Sequence, residues 1–220
     1  MELNFNIVIN NLPLFWQATQ ITLKIAVLAF AFALLIAFIV GVLRSYNIPA
    51  IFKLLLSAYV EIFRGTPLLI QLFFIYYGLP SVGIIMDAFT AAVIGLALNG
   101  GAYMSESVRA SILSVSKGQE EAAYSLGYSK LEAIWHIILP QAFRVAIPPL
   151  MNGFSSMLKE TSLVSVISIT ELTRTGNLIY SRTLKPFEVY LALGLFYFIM
   201  TFSVVLLAKQ IELKEKRWTL

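Results

Sequence analysis

SKGQEEAAYSLGYSKLEAIWHIILP, residues 116–140, is the one long polar interruption in an otherwise apolar chain of 220 residues. Its spacing predicts two short helices with a sharp bend between them. Ser116 stands three residues before Gln119, a capping-box spacing in which hydroxyl and amide each satisfy an orphan backbone N–H, and Glu120 and Glu121 suit the positive end of the helix dipole. Gly127 can take the left-handed conformation that ends a helix, and Ser129 with Glu132 repeats the capping spacing, so a second helix begins almost at once. That helix carries Leu131, Ile134, Trp135 and Ile138 into apolar sequence.

Composition places the rest of the chain in a membrane. It is 59% hydrophobic and 13% charged, with a mean hydropathy of +0.81, which no soluble domain of this length shows. The expected fold is all-α: one polytopic membrane helix bundle over residues 1–220, with residues 116–140 as its cytoplasmic connector. With no cysteine and a single histidine, His136, disulfides, thiolate metal sites and a cysteine nucleophile are excluded, and His136 beside Trp135 reads as interfacial packing. A formal charge of +4 does not imply a nucleic-acid partner, because the basic residues are scattered between apolar runs and gathered in a tail.

Five crossings are expected. Residues 21–42 form the first, with Trp16 as an interfacial anchor and Lys24 close enough to that end to snorkel. Residues 51–77 form the second, interrupted by EIFRGTP, and residues 87–113 the third, with Asn99, Gly100 and Gly101 at its middle. Residues 142–169 contain Lys159, Glu160, Thr161 and Ser162, either at the tip of a hairpin or within one broken crossing. Residues 189–207 form the last, followed by Lys209, Lys214, Lys216 and Arg217. The positive-inside rule puts that tail and the connector, with Lys117 and Lys130, on the cytoplasmic side, so an even number of crossings separates them and 142–169 is read as one broken span. The N-terminus is then outside and the C-terminus inside. Residues 1–12 carry one charge, Glu2, and lack the features of a cleaved signal peptide, so they are expected to stay on the mature protein.

Charges inside apolar runs need partners. Glu61 and Arg64 lie at i, i+3 and can neutralise each other; alternatively they line the translocation path or its gate together with a kink at Pro67. Glu106 and Arg109 repeat the spacing.

Glu121-Ala122-Ala123, three residues, Gly127, nine residues, then Ile137-x-Leu139-Pro140 is a spacing that resembles the EAA motif of ABC-importer membrane subunits. ESVRASILSVSKGQEEAAYSLG, IILPQAFRVAIPPLMN and EIFRGTPLL are similar to the polar amino acid permease branch. The resemblance implies that the first short helix is a coupling helix seated in a groove of a separate ATP-hydrolysing subunit, with Glu120, Glu121, Ala122, Ala123, Leu126 and Gly127 at the contact. The small side chains there would let two backbones approach closely. It also implies two ATPase subunits, a second permease subunit (another copy or a paralogue), an extracellular or periplasmic amino-acid-binding protein, and a place among the lipids of a bacterial cell membrane. This chain has no G-x-x-x-x-G-K-[ST] loop, so ATP and magnesium would be used by the partner and no cofactor by this chain.

The broken span suggests where a solute binds. A carboxylate near the bilayer centre costs about 2.5–3.5 kcal/mol, so Glu160 marks a site. Thr161 or Ser162 could cap a restarted half-helix and offer the N–H groups of Ser162, Leu163 and Val164 to an anion. A free amino acid would place its carboxylate there and a cationic side chain on Glu160, so a basic amino acid such as arginine, lysine or histidine is expected, with Asn99, Met104 and Ser155 completing the pocket. Glu160 could instead pair with Lys159 or with a basic residue of a partner subunit. An ATPase-independent secondary transporter or channel would call for acidic or histidine relays or inverted repeats, and an intramembrane enzyme for a nucleophile or metal constellation. The chain shows neither pattern, while the EAA spacing fits an ATP-driven importer working by alternating access.

Overall fold

The computed structural model describes residues 3–216, and of residues 212–216 the helical backbone only. Glu2 and Arg217 lie outside the described residues. A short helix, α1 (Asn6–Asn10), precedes α2 (Leu12–Ser45), and then come α3 (Ala50–Gly65), α4 (Leu68–Phe73), α5 (Ala88–Leu113), α6 (Lys117–Ser125), α7 (Lys130–Ala133), α8 (Leu139–Glu160), α9 (Leu172–Thr183) and α10 (Pro186–Lys216). Among the described residues there are no strands, in line with the all-α expectation.

Two helices form the frame. At 34 residues, α2 is about 50 Å long, and it lays Ala26, Ala29, Ala33, Ala37 and Gly41 against α5 or its neighbours as a buried stripe of small side chains. Lys24 lies over the Phe89 ring at 5.2 Å, Ala33 faces Gly100, and Gly41 faces Ser105 and Val108, so the two helices run parallel. A Cβ at Gly41 would stand 2.7 Å from the Ser105 carbonyl oxygen, and one at Gly101 2.8 Å from Ile36. Small residues thus bring the backbones together where no hydrophobic force acts between helices in lipid. α8 opposes α5, because Gly100 meets Met157 while Gly153 meets Met104. α10 runs parallel to α2, stacking Phe196 on Phe15 at 5.5 Å and placing Val204 with Ala26 and Leu158.

The expected kink at Pro67 is a bend of 107° between Ala50–Gly65 and Leu68–Val82. Pro67 forces Thr66 into extended backbone, as the residue before a proline must be, and the carbonyls freed at the break are taken up by side chains. Gln71 Nε2 donates to the Phe63 carbonyl at 2.9 Å and the Thr66 carbonyl at 3.0 Å. Asn99 Nδ2 donates to the Phe63 carbonyl at 3.1 Å and to Gln71 Oε1 at 3.0 Å, so Asn99 fastens the bend to the middle of α5. The π-helical turns Phe74–Gly78 and Ile134–Ile138 each precede a proline, Pro80 and Pro140, where the extra residue per turn makes room for the ring.

One expectation is corrected here. The Glu61–Arg64 ion pair does not form. α3 ends at Gly65, the Arg64 guanidinium turns onto the Tyr103 ring at 5.5 Å, and the Tyr103 hydroxyl donates to the Arg64 carbonyl at 3.2 Å. Glu61 is exposed and has no ion pair among the described residues. A terminal turn holds its side chains loosely, and an aromatic face in reach competes with a carboxylate one turn back.

Of the five expected crossings, three helices are long and apolar enough to span, Leu12–Ser45, Ala88–Leu113 and Pro186–Ile211, and the bent pair makes a fourth. The fifth, 142–169, falls short by composition. α8 carries Gln141, Arg144, Asn152, Lys159 and Glu160 with Pro148 and Pro149 inside it, and it passes into a 3₁₀ run, Thr161–Ile167. Because α8 opposes α5 and α10 runs with α2, this stretch traverses the bundle once.

Candidate functional site

The connector and the break after α8 are built by different means. α6 starts at Lys117 as expected, but Ser116 makes no side-chain cap. Gln119 N–H bonds the Ser116 carbonyl at 3.0 Å, while Gln119 Oε1 accepts from Gln141 Nε2 at 3.3 Å. The predicted first capping box is therefore replaced by a tether to α8. The other end follows the sequence closely. Gly127 has φ +87°, Tyr128 N–H bonds the Ala123 carbonyl at 3.1 Å and Gly127 N–H the Tyr124 carbonyl at 3.0 Å, the pair of bonds that closes a helix on a left-handed residue. The second box is complete: Ser129 N–H donates to Glu132 Oε2 at 2.8 Å, its hydroxyl to the same oxygen at 2.6 Å, and Glu132 N–H to Ser129 Oγ at 3.4 Å. The Ser129 hydroxyl and N–H hold the Glu132 carboxyl below its ordinary range.

The connector has an inner and an outer face. Ala123 and Ala133 are buried against the chain itself, so Ala123 serves internal packing and is not part of a free surface. Glu121, Ala122 and Gly127 face outward, and Leu126 is 78% exposed. A Cβ on Gly127 would meet none of the described residues within 4 Å, which leaves its backbone open. Glu120 accepts from the Tyr124 hydroxyl at 2.5 Å. Beneath α6, the Tyr46 hydroxyl is buried without a hydrogen-bond partner among the described residues, and burial first and the Glu120 charge second push its pKa up. His136 sets Nδ1 3.0 Å from the Glu132 carbonyl and its ring 6.3 Å from the Tyr128 ring.

Where α2 and α5 reach the connector, three charges lock them. Arg109 Nη2 pairs with Glu106 Oε2 at 2.8 Å, the expected i, i+3 contact, and Arg44 binds the other Glu106 oxygen. The sequence carries no local sign of Arg44, which lies 62 positions away.

At the break after α8 the expected half-helix does not start at Thr161 or Ser162. Thr161 Oγ1 donates back to the Leu158 carbonyl at 2.7 Å and Ser162 Oγ to the Lys159 carbonyl at 2.8 Å, so neither hydroxyl caps. Ser162, Leu163 and Val164 continue α8 as 3₁₀ helix, a geometry that bonds N–H groups to carbonyls three residues back. The chain turns at Ser168, φ +71°, and restarts at Leu172. The cap is Glu171, wholly buried: its carboxylate accepts from Thr173 N–H at 3.0 Å, Arg174 N–H at 2.8 Å and the Tyr197 hydroxyl at 3.0 Å. Leu172 N–H donates to Thr22 Oγ1 at 3.1 Å, joining α2, α9 and α10. Sequence reasoning passed over Glu171 because glutamate is not among the favoured capping residues; its only local signal is its position one residue before an amphipathic helix.

Of the predicted solute-site residues, Met104 on α5 faces α8, Ser155 and Glu160 lie on α8, Thr161–Val164 belong to the 3₁₀ run after it, and Asn99 turns to the α3–α4 bend. Met104 packs on Gly153, near half-buried Ser155, and Gly100 beside Asn99 packs on Met157, one turn before Glu160. Thr161 and Val164 are buried, and Ser162 and Leu163 half-buried. The Asn99 amide is committed to the α3–α4 bend, as described. Glu160 is half-buried, and among the described residues no hydrogen bond or ion pair engages its carboxylate, although the adjacent Lys159 charge acts on it. Asn152 and Lys159 stand exposed on the same helix.

The sequence profile of the family described as "Binding-protein-dependent transport system inner membrane component" matches residues 33–217. The L-cystine transport system permease protein TcyB of Bacillus subtilis (strain 168) is 41% identical over 207 residues, 94% of this chain and 88% of that one. The glutamine transport system permease protein GlnP of Escherichia coli (strain K12) is 35% identical over 218 residues, 98% of this chain and 99% of that one. A crystal structure of an amino acid ABC transporter with histidines superposes with a TM-score of 0.91 at 40% identity, covering 97% of this chain and 100% of that chain. A profile that takes in the bent pair, the connector and the broken span alike, with relatives matched nearly end to end, means that the chain belongs to the family of binding-protein-dependent transport system inner membrane components, the membrane subunits of ABC importers.

Proposed function

We propose that this permease imports amino acids and prefers basic ones. Relatives named for cystine and glutamine speak for an amino acid but not for its charge. The single observation behind a cationic side chain is Glu160: a carboxylate at the end of α8, half-buried, with no hydrogen bond or ion pair among the described residues although the adjacent Lys159 charge acts on it, on the helix that carries Ser155 and packs against Met104. An unpaired carboxylate in that position gains more from a guanidinium or ammonium than from a neutral solute. The solute's own carboxylate meets the Thr161–Val164 end of the site, with the 3₁₀ backbone opening to free its N–H groups.

ATP and magnesium are used by two separate ATPase subunits, and the outward face of α6 and of the turn that ends it (Glu121, Ala122, Leu126 and Gly127, flanked by Glu120) sits in the groove of one of them. A second permease chain, a copy or a paralogue, covers the open side of the seam, and an external binding protein delivers the solute. Closure of the ATPases draws the two connectors together and turns the sites from one side of the membrane to the other. The chain lies in a bacterial cell membrane with its N-terminus outside and its C-terminus in the cytoplasm.

The test is ATP hydrolysis by the whole transporter in proteoliposomes, stimulated by arginine or by glutamine at matched binding-protein saturation. Arginine stimulates the native transporter more strongly, and Glu160→Gln lowers that preference about tenfold, the worth of one charge-assisted contact. Equal preference before and after the substitution would leave Glu160 as a structural partner of the second subunit. Hydrolysis-independent uptake by the purified chain alone would remove the ATPase reading altogether.

A further inference from the structure

At the connector end of the bundle α2, α5 and α8 part, and between them lies an apolar groove of about 730 Å³. Phe38 and Phe143 stack at 5.7 Å along it, with Val108 and Ile112 of α5 and Ala146 of α8 also lining it. A single charged side chain lines it, Arg144, which is exposed and has neither ion pair nor hydrogen bond among the described residues. The neighbouring cations are treated differently, since Arg44 and Arg109 share Glu106. Val108 and Ile112 belong to the turns of α5 that carry Glu106 and Arg109, so the groove opens at the depth of that ion cluster, where apolar sequence gives way to polar.

An arginine on a membrane helix either pairs or reaches a headgroup. Guanidinium matches phosphate through two parallel N–H bonds, basic pockets between membrane helices select anionic headgroups, and Trp135 at the groove mouth is of the residue type that settles at headgroup level. A helix of a second copy laid in the groove would have to bring an acidic side chain to Arg144. An anionic lipid brings both the charge and the apolar chain. We infer that the groove holds one anionic phospholipid of the leaflet on the connector side, with its phosphate on Arg144 and an acyl chain along Phe38 and Ala146. The site draws on the permease reading only for the presence of a bilayer and is independent of which solute is carried.

Native mass spectrometry of the detergent-purified transporter, complete with its ATPase subunits, tests this with added dioleoyl phosphatidylglycerol against dioleoyl phosphatidylcholine. The native complex retains the phosphatidylglycerol about fivefold more tightly, the effect of one arginine at a headgroup. Arg144→Gln abolishes the preference, and Arg144→Lys keeps most of it. Equal retention of the two lipids by the native complex, or a preference that survives Arg144→Gln, overturns the assignment. Retention of neither lipid means that a second permease chain covers the groove, and overturns it as well. Solute-stimulated ATP hydrolysis of the same preparations is recorded alongside, so that a failed lipid site and a failed transport reading are told apart.

Discussion

Glu171→Ala should be among the most damaging single changes outside the two sites. The side chain is wholly buried and accepts three bonds, from Thr173 N–H, Arg174 N–H and the Tyr197 hydroxyl. Removing it strips α9 of its cap, a loss of about 1 kcal/mol with an upper bound near 2. The Tyr197 hydroxyl keeps Thr173 Oγ1 at 2.9 Å, so its share is one lost hydrogen bond, about 1–1.5 kcal/mol, and not a full orphan's penalty. The sum is about 2–3 kcal/mol. For a chain of this length each kcal/mol moves a melting midpoint by about 2–4 °C, so the variant should melt about 5–10 °C lower. Fluorescence-detected size exclusion after a heating series in detergent measures this directly. Glu171→Gln keeps one acceptor oxygen and should lose about half as much. If Glu171→Ala melted with the native chain, or if Glu171→Gln were the worse of the two, the capping account of the restart at Leu172 would be wrong.

Other outcomes follow from the connector and the helix frame. Leu126→Glu should leave the melting midpoint within a degree or two, because the side chain is 78% exposed, yet it should strip the ATPase from the chain in co-purification. Gly127→Ala places a Cβ on a residue with φ +87° at a cost of about 1 kcal/mol, and is read as faster hydrogen exchange through residues 123–128. Gly41→Ala sets a methyl 2.7 Å from the Ser105 carbonyl oxygen, prises α2 from α5, and should cost about 1–3 kcal/mol in the same melting assay. Because the carboxyl of Glu132 is held below its ordinary value by Ser129, the box is formed at all pH above the ordinary carboxylate range and is lost as pH falls through the lowered value. Intrinsic-rate-corrected exchange protection of residues 130–133 should therefore be flat from neutral pH into mild acid and drop below it, and Ser129→Ala should remove that drop.

What could be read from the sequence was whatever depends on neighbours a few positions apart. The left-handed Gly127, the Ser129–Glu132 box, the Glu106–Arg109 pair and the break at Pro67 are local, and each appears where spacing put it. The failures share the opposite property. The Gln119 side chain passes over Ser116 for Gln141, 22 positions on, Arg64 abandons Glu61 for Tyr103, and Arg44 joins Glu106 across the frame. In each case a partner brought by packing outbid, or was invisible to, a partner offered by sequence. The restart after α8 failed for a related reason. Thr161 and Ser162 are good caps by type, but hydroxyls in a continuing helix bond the carbonyls behind them just as readily, and only the meeting of α2, α9 and α10 reveals why the buried Glu171 takes the role.

The knot formed by Asn99, Gln71 and the Phe63 carbonyl turns α5 into a crankshaft. Its lower end, at Leu113, leads into the connector within a few residues, and its pin sits about 21 Å up the shaft, bolted to the elbow of the preceding pair. A tug on the connector thus cannot slide α5 past the elbow without tearing that knot, so the two travel as one part, and the angle at Pro67 becomes the place where such a stroke is absorbed.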